Sequence, residues 1–234
     1  MKKNIPFIYD FINLFFPDVC PVCGDGLLRG ENIMCVPCLL KLPRTNFHME
    51  TDNKTCELFA GRVPFKAATS FFYYNKFSKY SHLIHEMKYN GKTEIGSYLG
   101  SLLGNELRKT GFSKGIDLII PVPLHRKRLI MRGFNQSECI AQGISKATKI
   151  PVETKVIKRT VNTSTQTAKN KQDRTTNMEN VFELISTKEL ENKHVLLVDD
   201  VITTGATIES LAKSIENIEG IKISIASLGI ASFQ

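Results

Sequence analysis

From residue 66 onward the chain alternates apolar runs of strand length with stretches whose apolar residues recur every three or four positions. Ala67 to Tyr74 reads as a strand, Phe77 to Tyr89 and Glu94 to Arg108 as helices, and Asp117 to Ile120 as a buried strand running into Pro121-Val122-Pro123. A helix over about Asn135 to Thr148, a short strand at Val181 to Leu184, the strongly apolar strand His194 to Val198, a helix from Ala206 to Ile218 and a strand from Lys222 to Leu228 complete the series. Strands separated by helices imply an α/β fold with a mostly parallel sheet covered on both faces, because parallel neighbours need a crossover between them. Upstream of residue 66 the periodicity breaks, and cysteines, Gly24, Gly26, Gly30 and several prolines take its place. Residues 1–65 are therefore read as a small module and 66–234 as the main domain.

Two segments depart from this pattern. Ile5 to Phe16 is apolar behind Lys2 and Lys3, but Asp10 and Asn13 interrupt it and it falls short of the roughly 20 residues that span a bilayer. Phe7, Ile8, Phe11, Ile12 and Phe15 would share one helical face, which fits a short amphipathic helix packed on the protein, with a membrane surface as the alternative. The stretch from Thr160 to Arg174 has almost no large apolar residue and so must be exposed. Lys169, Lys171 and Arg174 make it a candidate anion-contacting lid, against the plainer reading of a solvated connection.

Charge narrows the choice of partner. Lys and Arg number 31 against 23 Asp and Glu, a net +8 that favours phosphates, nucleotides or nucleic acid but is also within the range of ordinary solubility charge. Of six cysteines, Cys20, Cys23, Cys35 and Cys38 form two Cys-x-x-Cys pairs separated by a glycine-rich turn. That spacing suits a structural Zn²⁺ held by four thiolates better than a secreted disulfide framework, and it points to a reducing, cytoplasmic setting. Metal binding would supply folding energy to a segment too short and polar for its own core. Cys139 falls in a helical pattern as a small buried hydrophobe.

The most informative run is Val195-Leu-Leu-Val-Asp-Asp-Val-Ile-Thr-Thr-Gly-Ala-Thr207. A buried parallel strand here delivers Asp199 and Asp200 to its carboxyl end, where open α/β sheets bind ligands. Gly205 lets backbone approach an anion, and the helix that follows offers unpaired N–H groups. Thr203, Thr204 and Thr207 add hydroxyl donors. The two acids would repel a phosphate, so they suit sugar hydroxyls and a hydrated Mg²⁺. Asp and Thr also cap helices, but a cap needs one such residue, and here two acids, three threonines and a glycine fall within nine positions.

This run resembles the phosphoribosyl pyrophosphate (PRPP) motif of type I phosphoribosyltransferases. The resemblance implies that Asp199 and Asp200 contact ribose hydroxyls while Thr203, Thr204, Gly205, Ala206 and Thr207 cradle the 5′-phosphate. It also implies a pyrophosphate loop after an earlier strand, a place occupied by Pro123, Leu124 and His125, with Arg126, Lys127 and Arg128 behind them. When the paired Cys-x-x-Cys, Leu83 to Lys92, Pro121 to His125, Arg132 to Gln136 and Gln166 to Arg174 are added, the chain looks like the ComF family from about Cys20 to the last strand. That family couples a zinc module to a phosphoribosyltransferase-like domain and is associated with uptake of single-stranded DNA in natural transformation, which implies other competence proteins as partners. Cys56 stands alone where members often carry further cysteines.

Two functions follow from these readings. As an enzyme, the site would hold PRPP and Mg²⁺ while an acceptor displaces pyrophosphate, with Asp199, Asp200 and the lid cations Lys169, Lys171 and Arg174 as the catalytic candidates. As a binding protein, Arg126, Lys127, Arg128 and Arg132, with Lys155, Lys158 and Arg159, would track a single-stranded DNA backbone, and Phe134, Tyr73 or Tyr74 would stack on bases unless they belong to the core.

Overall fold

The computed structural model describes residues 18–161 and 181–231. Four parallel strands form the central sheet: β1 (Ala67–Tyr74), β2 (Leu118–Pro121), β5 (His194–Ile202) and β6 (Lys222–Ala231), in the order β1-β6-β5-β2. Two short strands, β3 (Ile157–Arg159) and β4 (Phe182–Leu184), pair antiparallel beside it. β5 lies inside the sheet, pairing with β6 along nearly its whole length and with β2 through Val195 to Val198. This explains its unbroken apolar run, since Val195, Leu196, Leu197 and Val198 are all fully buried.

The helices are α1 (Val36–Leu40), α2 (Lys54–Phe59), α3 (Ser81–Tyr89), α4 (Thr93–Lys109), α5 (Arg126–Arg132), α6 (Gln136–Thr148) and α7 (Ala206–Ile215). On one face of the sheet α4 and α6 pack so closely that a side chain at Gly100 would place its Cβ 2.2 Å from the Ile140 carbonyl, and one at Gly143 would meet the Ser97 carbonyl at 2.3 Å. No other residue fits there, and the contact fixes where the amino end of α6 meets the sheet. The opposite face is covered by α7, α2 and the β3–β4 pair.

The cysteine segment shares its core with the sheet. Cys20, Val22, Met34, Cys35, Cys38 and Leu42 lie in one apolar cluster with Phe71 and Phe72 of β1 and Leu83, Ile84 and Met87 of α3. The Tyr80 hydroxyl donates to the Cys38 carbonyl at 3.1 Å, tying the segment to the start of α3. The expected helix from Phe77 begins only at Ser81, because Asn75 to Tyr80 forms turns closed by Ser78 N–H to Asn75 and Ser81 N–H to Ser78, leaving Phe77 85% exposed. The basic helix α5 has no buried residue, which is why no apolar period announces it. The residues of the expected amphipathic helix near the amino end, and Lys169, Lys171 and Arg174, lie outside the described residues. No helix among the described residues is long and apolar enough to cross a membrane.

Candidate phosphate and sugar site

The site assembles at the carboxyl edge of the sheet. Asp199 and Asp200 are still within β5, so their carboxylates are held by ladder backbone, where the sequence had placed them at its end. One Asp199 oxygen accepts from the Ser137 hydroxyl at 3.0 Å and from the Asp200 amide at 2.9 Å. Asp200 points the other way and is 4% exposed; its Oδ1 accepts from the Val201 amide at 2.6 Å. The ammonium of Lys88, on α3, stands 2.8 Å from Oδ2 of Asp200, an ion pair whose approach lies outside hydrogen-bonding direction. Burial, and then the neighbouring Asp200 charge, push the Asp199 carboxyl from its ordinary 3.8 up to about 7.

Beyond β5 the chain turns through Thr203 and Thr204, both exposed, to Gly205 at φ 77° and into α7. The loop is braced from beneath. A Cβ on Gly205 would come 2.9 Å from the ring of Phe59, which is fully buried, and 3.3 Å from Leu58. The Arg62 guanidinium donates to the carbonyls of Thr204 at 2.8 Å and Leu58 at 3.0 Å, and pairs with Glu209 of α7, itself bonded to Lys213. With Thr204's carbonyl so held, the turn leads into the amino end of α7, whose first N–H groups have no intrahelical partner; the Ala206 amide donates to the Thr204 hydroxyl at 3.5 Å.

Beside it, the Val122 amide donates to the Val198 carbonyl at 2.8 Å, so Pro123, Leu124 and His125 leave β2 next to the acid pair. Asn135 donates to the Val122 carbonyl at 3.0 Å and caps α6 through the Ser137 amide, which locks this loop to the helix that supplies Ser137. His125 caps α5, and Arg126 and Lys127 project into solvent while Arg128 and Arg132 are half-buried. A cavity of about 430 Å³ opens here, lined by Pro121, Leu124, Asn135, Glu138, Lys158 and Arg159. Burial, with Arg128 nearby, lowers the Arg159 pKa, and Asp199 opposes that shift. Of the candidate stacking residues, Tyr73 packs edge-on against Phe47 and Tyr74 is half-buried against Gly229. The exposed ring next to the basic helix is Tyr89, beneath the guanidinium of Arg132.

No motif in the sequence marks Lys88, Ser137 or Arg62 as part of the site. Lys88 and the Asn135 cap lie within the segments that carried the family resemblance; nothing local to Ser137 or Arg62 marks them, because their partners are 62 and more than 140 residues away.

The four cysteines converge. Their Sγ atoms all lie within 4.8 Å of one another, with Cys23 and Cys35 at 3.6 Å, close to the edge of a tetrahedron with 2.3 Å metal–sulfur bonds. Cys20 feels burial pushing its thiol up, but the amides of Cys35, Val22 and Cys23 bring it down to about 7, so one ligand is readily the thiolate a metal such as zinc requires.

A phosphoribosyl transferase domain profile matches residues 137–229, which contain Ser137, the acid pair and the turn that follows β5. Among known proteins, the DNA utilization protein YhgH of Escherichia coli O157:H7 is 31% identical over 198 residues, covering 83% of this chain and 82% of its own. The competence protein ComFC of Bacillus subtilis is 24% identical over 201 residues, 80% of this chain and 79% of its own. Competence protein F of Haemophilus influenzae is 36% identical over 137 residues, 57% of this chain and 60% of its own. With a parallel sheet carrying this loop behind a four-cysteine cluster, and with relatives matched over most of their length, the chain belongs to the ComF family.

Proposed function

We propose that this protein handles incoming single-stranded DNA in the cytoplasm during natural transformation, using a phosphoribosyltransferase fold that binds PRPP or a nucleotide phosphate with Mg²⁺. The observation that carries the reading is the union of two features at one sheet edge. An acid pair and a glycine turn at a helix amino end suit a ribose phosphate, and α5 beside them presents Arg126, Lys127, Arg128 and Arg132 with no acidic residue among them. The names of the relatives, competence protein and DNA utilization protein, support the same direction, and other competence proteins are the partners that direction suggests. Hydrated Mg²⁺ suits the acid pair, whose charge already draws the Lys88 ammonium to 2.8 Å from Oδ2 of Asp200. Bound there, it would neutralise the pyrophosphate of PRPP. The chain's own residues would do the rest: Asp199 and Asp200 accept from the ribose hydroxyls, Thr203 to Thr207 take the 5′-phosphate, and Pro123 to His125 face the pyrophosphate.

The test is binding of a labelled oligothymidylate across a salt series. Each phosphate neutralised contributes a slope of about −0.7 in log affinity against log salt, so replacing Arg126, Lys127 and Arg128 with Gln should flatten the slope by about 2 and weaken binding. A salt-independent affinity, or a variant that binds as the wild type does, overturns the DNA reading.

Turnover is the second reading, favoured by how firmly Ser137 and backbone amides orient the two carboxylates. In it an acceptor attacks the anomeric carbon of PRPP as the bond to pyrophosphate breaks, and Lys169, Lys171 and Arg174 close over the departing group. Pyrophosphate release with a panel of bases, abolished by Asp200→Asn, is the expected signature; no release with any base refutes it.

A further inference from the structure

A pair of adjacent carboxylates on one strand is a poor resting arrangement. Asp200 is 4% exposed, its Oδ2 accepts no hydrogen bond among the described residues, and Asp199 sits directly beside it. In water-poor surroundings two such charges need a cation close by. The chain supplies one from a distant element. Lys88 reaches from the last turn of α3 to 2.8 Å from that oxygen, with its side chain 24% exposed, and makes no other ion pair or hydrogen bond among the described residues. An ammonium has three donors, and none is committed to a directional hydrogen bond among the described residues, which leaves them for a ligand at the acid pair. Its base is rigid, since Leu83, Ile84 and Met87 bury α3 against the sheet and Glu86 closes the helix end by accepting from Asn90 at 2.7 Å and pairing with Lys92 at 2.8 Å.

We infer that Lys88 is the resident counter-cation of the acid pair: it holds Asp200 ready for a sugar hydroxyl and lets the ribose 5-phosphate part of a ligand bind without a divalent metal. The inference rests on the reading that this site takes a ribose phosphate. Magnesium would then be required by the pyrophosphate of a bound ligand and dispensable for its sugar.

Ribose 5-phosphate separates the two requirements, because it carries no pyrophosphate for a metal to neutralise. The experiment is calorimetric titration of ribose 5-phosphate into the zinc-loaded full chain, in buffer freed of divalent ions and again with millimolar Mg²⁺. The wild type is expected to bind with the same affinity in both, within about twofold. Lys88→Met should lose about tenfold to a hundredfold without Mg²⁺, the scale of one charge-assisted contact, and recover most of it with Mg²⁺. Lys88→Arg should keep metal-free binding. A purely structural lysine would not show rescue by metal. A wild type that binds only with Mg²⁺, or a Lys88→Met protein that binds metal-free as the wild type does, overturns the inference and leaves the ribose-phosphate reading standing. A wild type that binds under neither condition removes both.

Discussion

Replacing Gly205 with alanine probes the anion loop through two separable effects. The residue sits at φ 77°, where an L side chain costs about 1–2 kcal/mol. Its new Cβ would also stand 2.9 Å from the ring of Phe59, a side chain with no exposed surface and little room to retreat, for about 1–3 kcal/mol of overpacking. The sum is about 2–5 kcal/mol. Gly133 provides the control, since it has φ 82° and nothing within 4 Å of the same added atom, so Gly133→Ala should cost only the backbone share, about 1–2 kcal/mol. Urea unfolding measures both, with the slope m unchanged if the unfolded states are alike. In a Phe59→Leu background the excess at Gly205 should disappear, a coupling visible in a double-mutant cycle. Equal costs at the two glycines, or an excess that survives Phe59→Leu, would refute the claim that α2 braces the loop.

Protonation gives a second test. Because the folded state raises the Asp199 carboxyl from 3.8 to about 7, it binds that proton more tightly than the unfolded chain does. The resulting stability is fully present below about pH 4 and is lost as pH rises through about 7. Asp199→Asn cannot ionise, so its stability relative to wild type should improve by about 1–3 kcal/mol between about pH 5 and pH 8; a pH-independent difference in paired denaturation series contradicts the shift. A third test concerns the four cysteines. Because Cys38 accepts from Tyr80 at the start of α3, and the cysteine segment shares a core with that helix, stripping a metal such as zinc from a metal-loaded protein should loosen Lys88 and weaken ribose 5-phosphate binding in metal-free buffer. Full metal release with unchanged affinity goes against this link.

Much of the fold can be read from one sequence because its main elements follow a single rule each. β5 is apolar on both faces since it is buried on both, and the strand limits of β1 coincide with those read from the pattern. The acid pair, the threonines and Gly205 were legible for a related reason: a strand, a turn and a helix amino end are contiguous in sequence, so the chemistry appears as one run. What surrounds them is not contiguous. Lys88 and Ser137 reach the acids from helices whose packing depends on long-range contacts, including the α4–α6 approach at Gly100 and Gly143. Arg62 belongs to a segment read as a separate module, yet it bonds the loop carbonyl of Thr204. The helix α5 escaped the pattern because it buries nothing: its Leu129, Ile130 and Met131 face solvent beside its cations.

The central claim, that the turn after β5 receives the phosphate of a ribose whose hydroxyls meet Asp199 and Asp200, is tested most directly by following backbone amide resonances during titration with ribose 5-phosphate. The largest shifts should fall on Thr204, Gly205, Ala206 and Thr207, with smaller ones at Asp199 and Asp200. Saturable binding that leaves those amides in place and shifts residues elsewhere would contradict it.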